Sequence, residues 1–191
     1  MGAHSYIVAI LLLTSVDAGA PSRAAPPVPV ALPIVEGEGY QGVIFPAPPF
    51  NPRVVDGDGI WCPSDQDVRR LEASLEVSLK DALRDPQRSI NSTCRPEESS
   101  QNWCREFERR RKAEVKAILA KLRKYRRQYA GVTISGKRTI IANFFRPPSE
   151  DDSTNWRSEW VNVLGGGTDY WSIAFNIEQK RFHSLYVNSP R

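Results

Sequence analysis

Residues 131–145 read GVTISGKRTIIANFF, and this stretch decides the fold class. Upstream of it apolar residues recur at helical spacing; from Gly131 onward they alternate, which puts successive side chains on opposite faces of an extended chain. Val132 to Ile134 and Arg138 to Phe145 are two strands, and Ser135-Gly136 between them suits a tight hairpin turn. Further alternating runs follow at Trp160 to Leu164, Tyr170 to Ile177 and Phe182 to Val187, separated by Gly165-Gly166-Gly167 and by Glu178 to Lys180. The acidic loop around Glu150 to Asp152, after Pro147 and Pro148, interrupts the series.

Working outward toward the N-terminus, the pattern becomes helical. Ser64 with Asp67 forms a capping-box signature after Pro63, and Val68, Leu71, Leu75, Leu79 and Leu83 predict a first helix over 64–84, ended by Pro86. Phe107, Val115, Ile118, Leu122, Tyr125 and Tyr129 lie on one stripe of a second helix predicted over 102–129. The expected fold is therefore α+β: two helices, then a four- to five-stranded antiparallel meander, with the helices packed on one sheet face.

The ends set the compartment. Residues 1–20, MGAHSYIVAILLLTSVDAGA, have the order of a signal peptide: a short polar start, an apolar run from Tyr6 to Leu13, and small residues before the cut. That run is shorter than a bilayer crossing needs, and no later one is longer, so stable membrane insertion is not expected. Residues 21–58, with nine of the fifteen prolines in 21–52, read as a proline-rich arm or linker; Tyr40, Val43, Ile44 and Phe45 within it are apolar enough to dock on the domain. Residues 59–191 form the single α+β domain. A secreted or periplasmic location follows.

Cys62, Cys94 and Cys104 would then meet an oxidising space. Cys94 with Cys104 is the expected disulfide, since they bracket the turn-rich RPEESSQNW; Cys62 paired with either is the alternative. A free Cys62 is expected to lie buried beside Trp61. Asn91-Ser92-Thr93 is a glycosylation acceptor in a eukaryotic source only.

Loss of residues 1–20 raises the formal charge from +4 to +5 by removing Asp17, which favours anionic partners in general terms. The second helix concentrates this charge: Arg109, Arg110, Lys116, Arg123, Lys124 and Arg127 are its candidate contacts to an anionic polymer or nucleic acid. Trp160 and Tyr170 are candidates on an uncovered sheet face for an unknown protein or envelope partner. No nucleophile elbow, zinc-binding histidine pair or phosphate-binding glycine loop is present, so no catalytic residue, metal or cofactor is assigned. Asp169, His183 and Glu159 are what a small hydrolase or isomerase with a cavity between helices and sheet would have to use. The glycine run 165–167 could expose amides to an anion, but a turn between strands explains it better.

The combination IWCPSDQDVRRLEASL, KYRRQYAGVTISGKRTIIANFF and WVNVLGGGTDYWSIAFNIEQKRFHSLYVN resembles a family of small exported bacterial proteins with no established activity. The shared pattern is Trp-x-Pro before a helix, Tyr-x-x-Gln-Tyr-x-Gly, Asn-x-Phe, a Gly-Gly turn, an aromatic strand and a closing Val-Asn, over roughly residues 60–188. Gly165 stands where that family resembles Asp-Gly-Gly, and Ser189 where Gly usually follows Asn188. The resemblance implies export and the α+β plan. It implies no catalytic residue and no particular partner, and the function expected is that of an exported, non-catalytic binding or envelope-associated protein.

Overall fold

The computed structural model describes residues 31–50, 57–84, 102–147 and 155–190. The signal peptide 1–20, Asn91 and Cys94 lie outside the described residues. Ala31–Arg191 form one compact unit. Its elements are β1 (Ile34–Gly37), β2 (Tyr40–Phe45), β3 (Gly57–Trp61), α1 (Asp65–Arg84), α2 (Asn102–Lys121), β4 (Arg126–Ile134), β5 (Lys137–Phe145), β6 (Tyr170–Asn176) and β7 (Arg181–Val187). Short 3-10 turns at Leu122–Lys124 and Gly167–Asp169 lead into β4 and β6.

The class is α+β, with two helices and a seven-stranded, mostly antiparallel sheet, more strands than the four to five expected. β4 to β7 form the expected meander. The extra strands come from the proline-rich segment. β1 and β2 make a hairpin turning at Glu38-Gly39, with Gly39 at φ +75°. The reading of 21–58 as arm or linker therefore fails over Ile34–Phe45, where the prolines only bound the strands: Ile44 N donates to Pro33 O at 2.9 Å, and Pro46 follows β2. Proline lacks a backbone donor and so delimits a strand without preventing one beside it.

One edge of β4 takes two partners in succession. β2 runs parallel to Arg126–Ala130, and β3 runs antiparallel to Gly131–Ile134. The hand-over falls at Gly131, where a Cβ would lie 2.3 Å from the Trp61 carbonyl oxygen and 2.8 Å from its ring. Only glycine admits that approach without displacing β3. The Trp61 indole closes the joint by donating to Val132 O at 3.0 Å.

The second helix stops at Lys121 rather than running to 129, and Arg126 to Tyr129 belong to β4. The expected stripe through Tyr125 and Tyr129 was a coincidence of spacing. Trp160–Leu164 is likewise no strand. Its backbone is held by side chains: Gln128 Nε2 donates to Trp156 O and Glu159 O at 2.7 and 2.6 Å, its Oε1 accepts from Val161 N at 2.8 Å, and Asn143 Nδ2 donates to Val161 O at 2.9 Å. The capping box is present as read, with Asp67 N donating to Ser64 Oγ at 3.2 Å and Ser64 N to Asp67 Oδ2 at 3.1 Å.

Strand residues of alternate parity join different apolar clusters. Ile44, Tyr129, Ile140, Phe144, Trp171 and Ile173 share the main core with Leu71, Leu75 and Leu79 of α1 and Val115 and Ile118 of α2. Val43, Phe45 and Ala130 form a smaller cluster, and Val132, Ile141 and Ala174 another; Phe50 and Trp160 pack against both.

Candidate functional site

Three segments far apart in the chain meet at Asp169. Its carboxylate takes Lys121 Nζ, from the end of α2, at 2.9 Å on Oδ1, and Arg146, just after β5, at 2.7 Å on Oδ2. Burial opposes its ionisation, but the hydrogen bonds from Arg146 and Lys121 prevail and hold its pKa below the ordinary carboxylate value. Asp169 sits where it does because the glycine run turns the chain: Gly165, Gly166 and Gly167 all have positive φ, at 88°, 91° and 57°. At Gly166 a Cβ would lie 2.4 Å from the Tyr170 ring, so that ring rests on bare backbone.

The turn is fastened from several sides. Asn188 Nδ2 donates to Gly165 O at 3.0 Å and also to Val163 O. Gly167 N donates to Ser189 O at 3.0 Å, and Tyr125 Oη donates to Thr168 O at 2.6 Å. Burial, with the Asp169 charge adding to it, pushes the Tyr125 phenol up to about 12, so it stays a donor. These groups border a groove of about 720 Å³, to whose wall α2 adds Arg110 and Glu114, themselves paired at 2.9 Å. Each cation on this wall faces a carboxylate. Three cations against two carboxylates leave the groove a net charge of +1, with donors and acceptors side by side with the Tyr170 ring.

The proposed site residues scatter. Tyr170 lines the groove, whereas Trp160 is half-buried, its ring 5.4 Å from that of Phe45 and 5.3 Å from that of Phe50. An uncovered face carrying both does not form, because Trp160 is part of what covers the strands. Asp169 lines the groove, but neither His183 nor Glu159 does. His183 pairs across the sheet with Ala174, and burial, then Arg181, lowers its pKa. The acid and base set required by the enzyme reading is not assembled.

Of the basic candidates, Arg109, Arg110 and Lys116 are on α2, and Arg123 and Lys124 are exposed in the turn after it. Arg109 is held by Glu106 at 2.8 Å, and Arg123 lies 3.8 Å from Glu38. Arg127 is a correction: it lies in β4 and is buried, so it contacts no polymer. Its Nε is 3.2 Å from Glu72 Oε1, and its two terminal nitrogens donate to Tyr125 O and Leu122 O.

Cys62 is free and exposed, not buried beside Trp61 as expected. Cys104 is fully buried. Among the described residues there is no group of three or more His, Cys, Asp and Glu able to hold a metal, and no helix long and apolar enough to cross a membrane.

Sequence reasoning missed Lys121, Arg146 and Asn188 as neighbours of the glycine turn. The only signal was Asn188 itself, a polar residue closing an aromatic strand. No family model, no curated protein and no solved structure matches the chain.

Proposed function

We propose that the chain is an exported, non-catalytic binding protein of the bacterial envelope, secreted or periplasmic, which recognises its partner in the groove at the glycine turn. The helices serve as the cover of one sheet face in this reading, and the recognition surface lies at the sheet end. The observation that carries it is the Asp169 clamp: Lys121, Arg146 and Asp169 come from three separate segments to brace a turn that bounds a groove of about 720 Å³. A multiply charged anion is a poor occupant, since Asp169 already engages both cations and leaves the wall a net charge of only +1. A near-neutral segment rich in donors and acceptors, such as a peptide strand or glycan chain, suits the wall better.

Titration of the ¹⁵N-labelled mature chain with short wall-derived peptides and with glycan oligomers tests this. Amide shifts are expected at Gly165 to Tyr170 and at Asn188, weakening only modestly between about 50 and 300 mM salt because the wall carries a single net charge. Tyr170→Ala should abolish them. Shifts that map elsewhere, or none with either class, would sink the groove as the site.

Export is supported by residues 1–20, and the free thiol of Cys62 leaves Cys94 and Cys104 to pair. A loop of about ten residues closed in this way would gain about 2–3 kcal/mol, less any strain. Intact-mass and unreduced peptide mapping of material collected outside the cytoplasm should show the leader removed and a Cys94–Cys104 link. A link from Cys62, or three free thiols, contradicts it.

A further inference from the structure

The flank of α2 that carries Arg105, Arg109, Lys112 and Lys116 is distinct from the groove, whose α2 wall is Arg110, Ala113, Glu114 and Lys121. The four cations sit at i, i+4, i+7 and i+11, so they lie on one line along the helix, and all four are exposed. The line is about 16 Å long at the rise of an α-helix. Within it Arg105 and Arg109, Arg109 and Lys112, and Lys112 and Lys116 are like-charged neighbours three or four residues apart, an arrangement that works against the helix.

Its placement along the helix is unfavourable as well. α2 has no acidic residue in its first turn, and Arg105 sits near the positive end of the helix dipole; α1, by contrast, begins with Asp65 and Asp67. Helix stability therefore does not account for the stripe. The counter-charges on the helix are few: Glu106 holds Arg109, Glu114 is taken by Arg110 and Arg111, and Glu108 borders the line. Among the described residues Lys112 and Lys116 have no carboxylate within ion-pair distance.

We infer that this stripe is a binding surface for a linear phosphodiester chain, read through its backbone charges. A line of cations about 5–6 Å apart matches a chain that presents a charge at each repeat, and counter-ions released from such a polymer drive the association. A flat bilayer would instead need cations spread over an area. Arg110 and Arg127, expected at this surface from sequence, take no part: one lies on the groove wall and the other is buried. Arg105 and Lys112 take their place.

The test uses the mature chain with two fluorescent probes of matched charge, an oligothymidylate and a glycerol-phosphate oligomer, and vesicles containing phosphatidylglycerol as a third arm. Both oligomers should bind, with log affinity falling against log salt at a slope of about −2 to −3. Arg105→Gln/Lys112→Gln should weaken binding about tenfold at low salt and lower the slope by about 1.4. Arg123→Gln/Lys124→Gln, which removes the same charge away from the stripe, should change neither. The tighter-binding oligomer names the source of the phosphodiester. Equal losses in the two double variants would reduce the effect to net charge and overturn the proposal, as would binding to the vesicles alone.

Discussion

Glu72→Gln is expected to destabilise the chain by about 3 kcal/mol, because it strands a buried guanidinium. Glu72 on α1 and Arg127 in β4 have side chains 6% and 3% exposed, with Nε and Oε1 3.2 Å apart but out of line for a hydrogen bond. Tyr129 Oη donates to the same Oε1 at 2.7 Å. Glutamine keeps the volume and the acceptor and removes only the charge. The loss should fall at the low end of the range for breaking a buried pair, since Arg127 retains the carbonyls of Tyr125 and Leu122 and lies 5.0 Å and 5.4 Å from the Tyr40 and Phe144 ring centroids.

The reverse variant, Arg127→Met, leaves a buried carboxylate, and its cost should depend on pH. Burial already raises the Glu72 pKa, with Arg127 and Tyr129 opposing it. Without Arg127 it rises further, so the folded state binds a proton that the unfolded chain releases. Stability of Arg127→Met should then increase as pH falls from neutral toward the unfolded carboxylate value. Glu72→Leu with Arg127→Met should return to within about 1.5 kcal/mol of the natural chain, since apolar replacement of a whole pair is close to neutral. Urea unfolding at several pH values measures all three. Additive losses in the double variant would show that the pair is not coupled.

That same Arg127 explains much of what sequence reading could and could not reach. α1 was legible because its capping box and its leucine spacing agree, and β5 and β6 because β-branched and aromatic residues fill short runs bounded by turn residues. β4 was misread at its start: Arg127 and Gln128 are buried polar residues, and a pattern rule counts polar residues as exposed. With those two positions discounted, Leu122, Tyr125 and Tyr129 mimic a helical stripe. The segment 160–164 failed for the same reason. Its alternation is that of a strand, yet Gln128 and Asn143 supply from their side chains the partners that a neighbouring strand would have given. β1 and β2 were hidden by composition, since the prolines on either side set the character of the whole window.

The site was less legible than the fold because it depends on long-range convergence. Gly165 to Asp169 could be recognised as a turn, but nothing in the sequence placed Lys121, Arg146 and Asn188 around it. The motifs behind the family resemblance acquire structural work here. Tyr125, Gln128, Tyr129 and Gly131 each fix one neighbour: the 3-10 turn before β6, the 156–161 segment, α1 and β3 respectively. Such residues report the fold.

Trp171→Ala is the other substitution with a large expected loss, about 3–5 kcal/mol. The indole is 1% exposed and stacks on Phe144, with ring centroids 3.8 Å apart and planes within 5°, while Tyr125 meets it edge-on at 5.7 Å. These three rings belong to β6, β5 and the turn after α2, so the stack ties the central strands to the segment leading out of α2. Alanine would leave a cavity bounded by two rings that are already fixed from other sides: Phe144 by the Arg127 guanidinium and Tyr125 by its bond to Thr168 O. Little collapse is possible, which places the loss toward the upper end of its range. Trp171→Phe, which keeps an aromatic ring in the stack on Phe144, should cost less than Trp171→Ala. The loss in the alanine variant should also loosen Tyr125 and, through Thr168, the glycine turn. Amide exchange at Gly166 to Tyr170 should therefore quicken in Trp171→Ala by more than in Glu72→Gln; equal quickening in both would show that the turn senses only global stability, not the aromatic stack.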